Sequence, residues 1–420
     1  MKNLKKIEIA KNINLTLIPE SKFKTNLVSV FIQRNLDRNE VTKNALLPGI
    51  LKSGCEKYKT LGQLTDKQED LYGAYIGAGI SKRGESQVIC FNILGINEKY
   101  VDEKIFEQGV ELLNEVINNP LVIDGGFSEE YLNIEKEILK DSIAGIINDK
   151  ARYAMKRLNE IMFEDEPYAI SGRGYIEDLD SIDRVDLYNH YKHILKTSPI
   201  EIIVEGGFDE DEVVDIIKRN FKFEREDIID IPKENYYKNI KEVKEVHETM
   251  DIAQGKLVMG YRCNVDFLDI DKYYSLLLAS RILGGGADSK LFINVREKES
   301  LCYTIYSTIE KQKSTMFICS GIEAENYDKT VKLVKEQLEK IKDGEITQKE
   351  ISNAKVSFIN SLDSMNDDIG RITDFYYSQI TGKSENSLED IKNAIIKATK
   401  EDIVNSVQNI DLDTIYFLSK

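Results

Sequence analysis

The chain has 420 residues, of which 41% are hydrophobic and 31% charged. This composition is typical of folded globular proteins, and the length predicts more than one domain. The 73 acidic residues outnumber the 57 basic ones and give a formal net charge of −16, which argues against binding to nucleic acid or to an anionic membrane, because both require clustered Lys and Arg.

The sequence predicts no targeting or membrane segment. Segment 7–18, which follows a basic start, is interrupted by Glu8, Lys11, Asn12 and Asn14, so it predicts neither a signal peptide nor an anchor. No apolar run is long enough to span a bilayer. The five cysteines are scattered and show no C-x-x-C spacing, as expected for reduced thiols. We therefore expect a cytoplasmic protein.

The first half of the chain alternates between strand-like and helical patterns. The predicted elements are strands at 15–19, 27–33, 87–94 and 200–205, and helices at 102–118, 128–163 and 184–194. Asp209 and Glu210 then mark the first turn of a further helix.

The second half repeats this order. The predicted elements are strands at 256–261, 302–309, 314–321 and 414–418, and helices at 272–282, 328–342, 348–380 and 400–408. We predict an α+β protein with two homologous domains, residues 1–221 and 247–420, joined by a charged linker at 222–246. Such domains would form a clamshell whose cleft binds a large ligand.

Few residues have the spacing of a catalytic site. His190 and His193 are three residues apart on a predicted helix, but no carboxylate at a zinc-binding spacing accompanies them. No motif assigns a nucleophile to either of them or to His247, the third histidine. We therefore favour structural roles for all three, and a metal-independent enzyme that uses them or a cysteine is the weakest functional hypothesis.

The strongest glycine signal is Gly284-Gly285-Gly286. It follows a predicted helix rather than a strand, and it lacks the spacing of a phosphate-binding loop. Helix capping explains one glycine, whereas three in a row indicate a flexible joint or a close approach of the backbone. Further along, Arg296 and Tyr303 are by spacing alone typical of a solvated cation and a half-buried aromatic residue in a strand.

Over nearly its whole length, the chain resembles the inverzincin metallopeptidases, the family of pitrilysin, insulinase and the mitochondrial processing peptidase. Segment 283–292 resembles the glycine-rich stretch of the family's second domain. The pattern Arg-x-x-x-x-Leu-x-Tyr at 296–303 resembles the pair that reaches the scissile peptide. The resemblance implies that Arg296 and Tyr303 bind substrate, and their guanidinium and phenol groups are donors suited to a developing oxyanion.

The first domain departs from this family where the metal should bind. Ala45, Pro48 and Gly49 stand where the His, Glu and His of the H-x-x-E-H motif would stand. The third ligand position falls on Asp141 or Ser142. A catalytic zinc site needs three protein ligands, so we expect no metal in this chain. The Pro48-Gly49 pair should also disturb a regular helix at this point.

The resemblance thus implies a zinc-free subunit of a two-chain peptidase. A partner with H-x-x-E-H would hold the zinc, and this chain would add Arg296 and Tyr303 to bind a peptide or unfolded-protein substrate. Within the family, the chain resembles bacterial metal-free proteins associated with the modification of elongation factor P. The alternative is a structural or peptide-binding scaffold with no role in proteolysis. Without a partner, a homodimer is a further expectation.

Overall fold

The structure is a computed structural model that describes residues 4–420. It consists of two α+β halves. The strands are β1 (Lys5–Ala10), β2 (Ile13–Pro19), β3 (Thr25–Asn35), β4 (Tyr75–Arg83), β5 (Ser86–Ile96), β6 (Val122–Ile123), β7 (Gly126–Phe127), β8 (Ile200–Gly206), β9 (Lys244–Thr249), β10 (Gly255–Arg262), β11 (Cys302–Glu310), β12 (Thr315–Ile322) and β13 (Asp411–Ser419).

Helices cover the sheets. They are α1 (Val41–Ser53), α2 (Leu61–Asp70), α3 (Phe106–Asn118), α4 (Glu129–Ala144), α5 (Lys150–Met162), α6 (Arg184–Thr197), α7 (Glu210–Asn220), α8 (Ile270–Gly284), α9 (Tyr327–Lys342), α10 (Gln348–Met365), α11 (Ile369–Thr381), α12 (Leu388–Lys397) and α13 (Lys400–Val407). Within residues 4–420, none of these helices combines the length and the apolar character needed to cross a membrane.

The two sheets have the same topology. The first has the order β4-β5-β3-β8-β2-β1, and the second has the order β11-β12-β10-β13-β9. In the first sheet β2 pairs in parallel with β8, and in the second β9 pairs in parallel with β13. Among the described residues, β1 is the one strand of the first sheet that has no counterpart in the second. This correspondence confirms the predicted α+β duplication.

Two long predicted helices are each broken in the structure. The stretch 128–163 forms α4 and α5, and the stretch 348–380 forms α10 and α11. The side chains of Asp149 and Asp368 accept hydrogen bonds from backbone N–H groups of α5 and α11, so each caps a new helix. The sequence patterns also missed β9, which begins inside the predicted linker.

Each half contributes one helix to the sheet of the other half. Leu158 and Met162 of α5, from the first half, pack against Val258 of β10 and Tyr416 of β13. A helix from the first half therefore covers the second sheet on the face opposite to its own core.

Helix α11 of the second half makes the reciprocal contact. Ile372 and Tyr377 pack against Phe31 and Ile203 of the first sheet. The rings of Tyr377 and Phe31 stack with centroids 3.9 Å apart. The halves are thus joined by two exchanged helices and not by the linker alone.

This exchange predicts a difference between two glycines in strands. A Cβ at Gly260 would lie 2.6 Å from Met162 Sδ and 3.2 Å from Leu158 Cδ2, whereas a Cβ at Gly79 would meet no atom within 4 Å. Gly260→Ala should lower the free energy of unfolding by about 1–3 kcal/mol, because it pushes α5 away from β10. Gly79→Ala should change it by less than about 0.5 kcal/mol. Equal losses in urea denaturation would contradict this packing.

A buried ionic cluster joins the β4–β5 and β11–β12 hairpins at their turns. Lys313 is fully buried, and its Nζ lies 2.7 Å from Glu85 Oε1, 2.9 Å from Glu166 Oε2 and 3.5 Å from Glu234 Oε2. Glu85 lies in the β4–β5 turn and Lys313 in the β11–β12 turn. One ammonium group therefore connects the first half and the linker to the second half.

Arg262 extends this cluster. Its guanidinium lies 2.8 Å from Glu166 Oε1 and 2.8 Å from Asp413 Oδ2. Burial opposes the charge of Glu166, but hydrogen bonds from Lys313 and Arg262 outweigh it and lower the pKa of Glu166 to about 2. Burial raises the pKa of Glu234 to about 7. Removal of either Lys313 or Arg262 should therefore destabilise the cluster.

Candidate functional site

Helix α1 carries the positions of the lost metal motif. It runs without interruption from Val41 to Ser53 although Pro48 lies inside it. The expectation that Pro48-Gly49 disturbs the helix is therefore wrong. Leu46, Leu47 and other apolar side chains of α1 are buried in the core of the first half, and this burial outweighs the cost of about 4 kcal/mol that proline and glycine impose.

A carboxylate occupies the space beside Gly49. A Cβ at this position would overlap the carboxylate of Glu135, so a larger residue here would require the Glu135 side chain to move. Ser53 Oγ donates a hydrogen bond to Glu135 Oε1 at 3.2 Å. Burial raises the pKa of Glu135. The position of the second histidine is thus filled by a side chain from α4, which sequence reasoning missed.

The alternatives for the third ligand position, Asp141 and Ser142, both lie on α4. Ser142 is seven residues after Glu135, two turns later on the same helix face, whereas Asp141 lies to one side of that face. Ser142 Oγ accepts a hydrogen bond from Arg173 Nη1 at 2.7 Å. The cationic side chain of Arg173 therefore lies beside Ser142. Which of Asp141 and Ser142 occupies the third ligand position stays a prediction.

The residues of this region do not fit a zinc ion. The side chains at Ala45, Pro48 and Gly49 have no atom that can bind a metal ion. Within residues 4–420, no cluster of three His, Cys, Asp or Glu side chains has a metal-binding arrangement. His190 Nε2 lies 2.7 Å from Asn44 Oδ1, and burial lowers the pKa of His190 to about 4. This imidazole is thus neutral and engaged in packing near α1.

The structure brings Arg296 and Tyr303 together. Arg296 lies in a π-helical turn, Phe292–Glu297, and Tyr303 lies near the start of β11. The guanidinium carbon of Arg296 is 4.3 Å from the ring centroid of Phe292 and 5.5 Å from that of Tyr303. Tyr303 is 75% exposed, so its phenol is accessible to a ligand. The Arg296 side chain is partly exposed, and its Nε lies 3.8 Å from Glu297 Oε1.

A bulge sets the direction of Tyr303. The register of β11 with β12 shifts between Cys302 and Thr304, which leaves Tyr303 without an opposite residue. Bulges redirect side chains, and single π-helical turns are frequent at functional sites. Both irregularities flank the predicted pair.

The glycine-rich segment packs against the same strand. A Cβ at Gly284 would lie 2.6 Å from the backbone N of Ser307 in β11. Gly285 and Gly286 contact Arg281, whose guanidinium pairs with Asp288 at 2.9 Å. The interpretation as a close backbone approach is thus confirmed for Gly284. This contact fixes the position of β11, which carries Tyr303.

The two parts of the site occupy corresponding places in the two halves. Tyr75 begins β4 ten residues before Glu85, and Tyr303 lies ten residues before Lys313. Each tyrosine is therefore roughly 30 Å along its strand from the junction of the hairpins. Lys52 Nζ of α1 is 5.6 Å from the ring centroid of Tyr75, so α1 lies beside the far end of β4.

Comparison with known proteins identifies this arrangement. Over 96% of this chain and 94% of the relative, the sequence is 34% identical to the "Probable inactive metalloprotease YmfF" of Bacillus subtilis. Residues 181–358 match the family described as the Peptidase M16 inactive domain. The chain belongs to the M16 peptidase family. It is a non-catalytic member, because α1 has no ligand of the metal motif.

Two further comparisons cover most or all of this chain. A crystal structure of a conserved protein from Enterococcus faecalis covers 100% of this chain and 99% of its own, with a TM-score of 0.92 and 28% identity. The "Non-peptidase homolog YmxG" of Helicobacter pylori is 21% identical over 87% of this chain and 81% of its own. The M16 fold therefore spans the entire chain.

Proposed function

We propose that this M16 chain is the zinc-free subunit of a two-chain peptidase. The partner would be an M16 chain with the H-x-x-E-H motif and the zinc ion, and this chain would add Arg296 and Tyr303 to the shared cleft. The observation that supports this most directly is the pair itself. An exposed phenol and a guanidinium are adjacent in a chain that has no metal ligand at Ala45, Pro48 and Gly49.

The chemistry of these two side chains suits a reacting peptide. The zinc ion of the partner would polarise the scissile carbonyl and activate water. Arg296 and Tyr303 would donate hydrogen bonds to the carbonyl oxygen as negative charge develops on it. Such donors act most strongly where water is excluded, as between two closed subunits.

Two edge strands favour an extended substrate. β4 is the last strand of the first sheet, and β11 is the last strand of the second. The unpaired N–H and C=O groups of an edge strand can pair with an extended peptide. We therefore propose peptides or unfolded protein segments as substrates.

Further parts of this proposal depend on the sequence and the resemblance. They are a location in the cytoplasm, the absence of a bound metal or other cofactor in this chain, the lack of nucleic-acid or membrane partners, and a link to the modification of elongation factor P. A homodimer of this chain would form only where the zinc-bearing partner is missing.

Co-expression of the two chains tests the central claim. A tagged copy of this chain should capture a chain with H-x-x-E-H from the native cells, and the recombinant pair should hydrolyse fluorescein-labelled casein. Each chain alone should hydrolyse it at least about 100-fold more slowly, because each lacks half of the groups that stabilise the transition state. EDTA should abolish the activity of the pair.

Two results would contradict the proposal. One is a partner that hydrolyses casein equally well without this chain. The other is a stable pair without activity, which would favour the scaffold alternative.

A further inference from the structure

A cavity of about 420 Å³ lies beside the end of edge strand β4. Ile80 and Lys82 of β4 form one wall, α5 forms another, and segment 169–173 closes the third side.

The cavity is positively charged in an acidic protein. Four of the five charged residues that line it are basic, and these are Lys82, Arg152, Lys156 and Arg173. The only acidic residue of the lining, Glu160, already pairs with Lys156 at 2.6 Å. Since the chain as a whole carries a formal charge of −16, this concave surface concentrates charge of the opposite sign.

Two of the cations form no salt bridge in the described part of the chain, although Lys82 interacts electrostatically with Glu310 over a longer distance. Lys82 Nζ donates hydrogen bonds to the backbone carbonyls of Ile170 at 3.2 Å and of Tyr168. Arg173 Nη1 donates to Ser142 Oγ. Neither forms an ion pair with a carboxylate within residues 4–420. A carboxylate placed between them would form charge-assisted hydrogen bonds.

The segment that carries Arg173 is held in place. Gln87 Nε2 donates a hydrogen bond to the carbonyl oxygen of Gly172 at 2.8 Å. The backbone N–H of Ser171 donates to Tyr175 Oη at 3.1 Å, and that of Gly174 donates to the carbonyl oxygen of Ser171 at 3.1 Å. The backbone at Arg173 is thus preorganised, which lowers the entropic cost of binding a ligand.

The geometry of β4 connects the cavity to a bound peptide. Side chains of a strand alternate between its two faces, so Ile80 and Lys82 project to the same side. Every second side chain of a peptide that adds to the free edge of β4 would project to that side as well. One of them would reach the cavity.

We propose that this cavity binds a carboxylate of an extended peptide paired with β4, and that it selects acidic substrates. This inference rests on the proposed function only in taking a peptide as the ligand.

Binding to the isolated chain can be measured by fluorescence anisotropy. The probes are fluorescein-labelled, amidated decapeptides of Thr and Ala that differ only in a central Glu, Gln or Lys. A fourth probe has the central Gln and a free C-terminal carboxylate. The Glu peptide should bind at least about tenfold more tightly than the Gln peptide, the factor expected for a hydrogen bond to a charged group. This preference should weaken with added salt.

Variants locate the source of the preference. Arg173→Gln should remove most of it, and Arg173→Glu should reverse it in favour of the Lys peptide, which a merely structural role would not do. Arg371→Gln changes the charge equally at an exposed residue outside the cavity and should have no effect. Thermal unfolding of each variant verifies that it is folded.

Each outcome decides the matter. A gain with the Glu peptide supports the selection of acidic side chains, whereas a gain only with the fourth probe would overturn that selection and assign the cavity to a chain end. Equal binding of all four peptides, no binding of any, or equal effects of Arg173→Gln and Arg371→Gln would overturn the inference. None of these results affects the two-chain proposal, because the casein assay measures turnover by the pair.

Discussion

In the reconstituted pair, Arg296→Ala should lower kcat by about 100- to 1000-fold, the loss typical for one donor that stabilises an oxyanion. Tyr303→Phe removes only the phenol hydroxyl and should lower kcat by about 10- to 100-fold. Zinc content and pair formation should not change, since neither residue is a metal ligand. KM should change less than kcat, because the interaction strengthens only in the transition state.

Matched controls separate this role from general damage to β11. Tyr306→Phe removes a phenol hydroxyl from the same strand, and Lys298→Ala removes an exposed cation two residues after Arg296. Both should retain most of the activity. Full turnover by the Arg296 and Tyr303 variants alike would refute their assignment to the substrate and leave the scaffold alternative.

Lys313→Met should destabilise the chain by about 3–5 kcal/mol at pH 7.5. The substitution keeps much of the side-chain volume but leaves the carboxylates of Glu85, Glu166 and Glu234 around a site without its ammonium group. Removal of one partner from a buried ionic group has a cost of this size, because the remaining charges stay desolvated and repel one another. Urea denaturation at constant pH measures the loss.

The pH dependence gives a second test of this cluster. Without Lys313 the carboxylates gain protons more readily, beginning with Glu234, whose pKa is already about 7. The difference in stability between the variant and the natural chain should therefore be smaller at pH 5 than at pH 7.5. Lys332→Met, at a residue whose side chain is 76% exposed, is the control and should change stability by less than about 0.5 kcal/mol. An equally small effect of Lys313→Met would show that the cluster does not stabilise the junction.

Local patterns predicted most strands and helices because their information lies within a few residues. The periodicity that placed the hairpins and α3 and α9 in the same order in both halves also revealed the duplication. Pro48 shows the limit of such reasoning. Its helix-breaking tendency is local, whereas the burial of Leu46 and Leu47 that sustains α1 depends on the sheet beneath.

The contacts that join the halves could not be read from the sequence. Amphipathic patterns show that α5 and α11 bury one face, but they do not tell which sheet each helix covers. Lys313 and Glu85 are 228 residues apart, and nothing near either residue predicts their pairing. The same holds for Glu135, which fills the space beside Gly49, and for Arg173, which contacts Ser142.

By itself, the sequence determined the α+β duplication and the absence of metal ligands at Ala45, Pro48 and Gly49. It also indicated Arg296 and Tyr303 as candidate substrate-binding residues. These conclusions follow from the identity and spacing of residues along the chain. Only the tertiary structure decided that Arg296 lies beside an exposed Tyr303, that the halves exchange helices, and that a basic cavity lies beside β4. These properties arise from contacts between residues distant in sequence, which form when both halves have folded together.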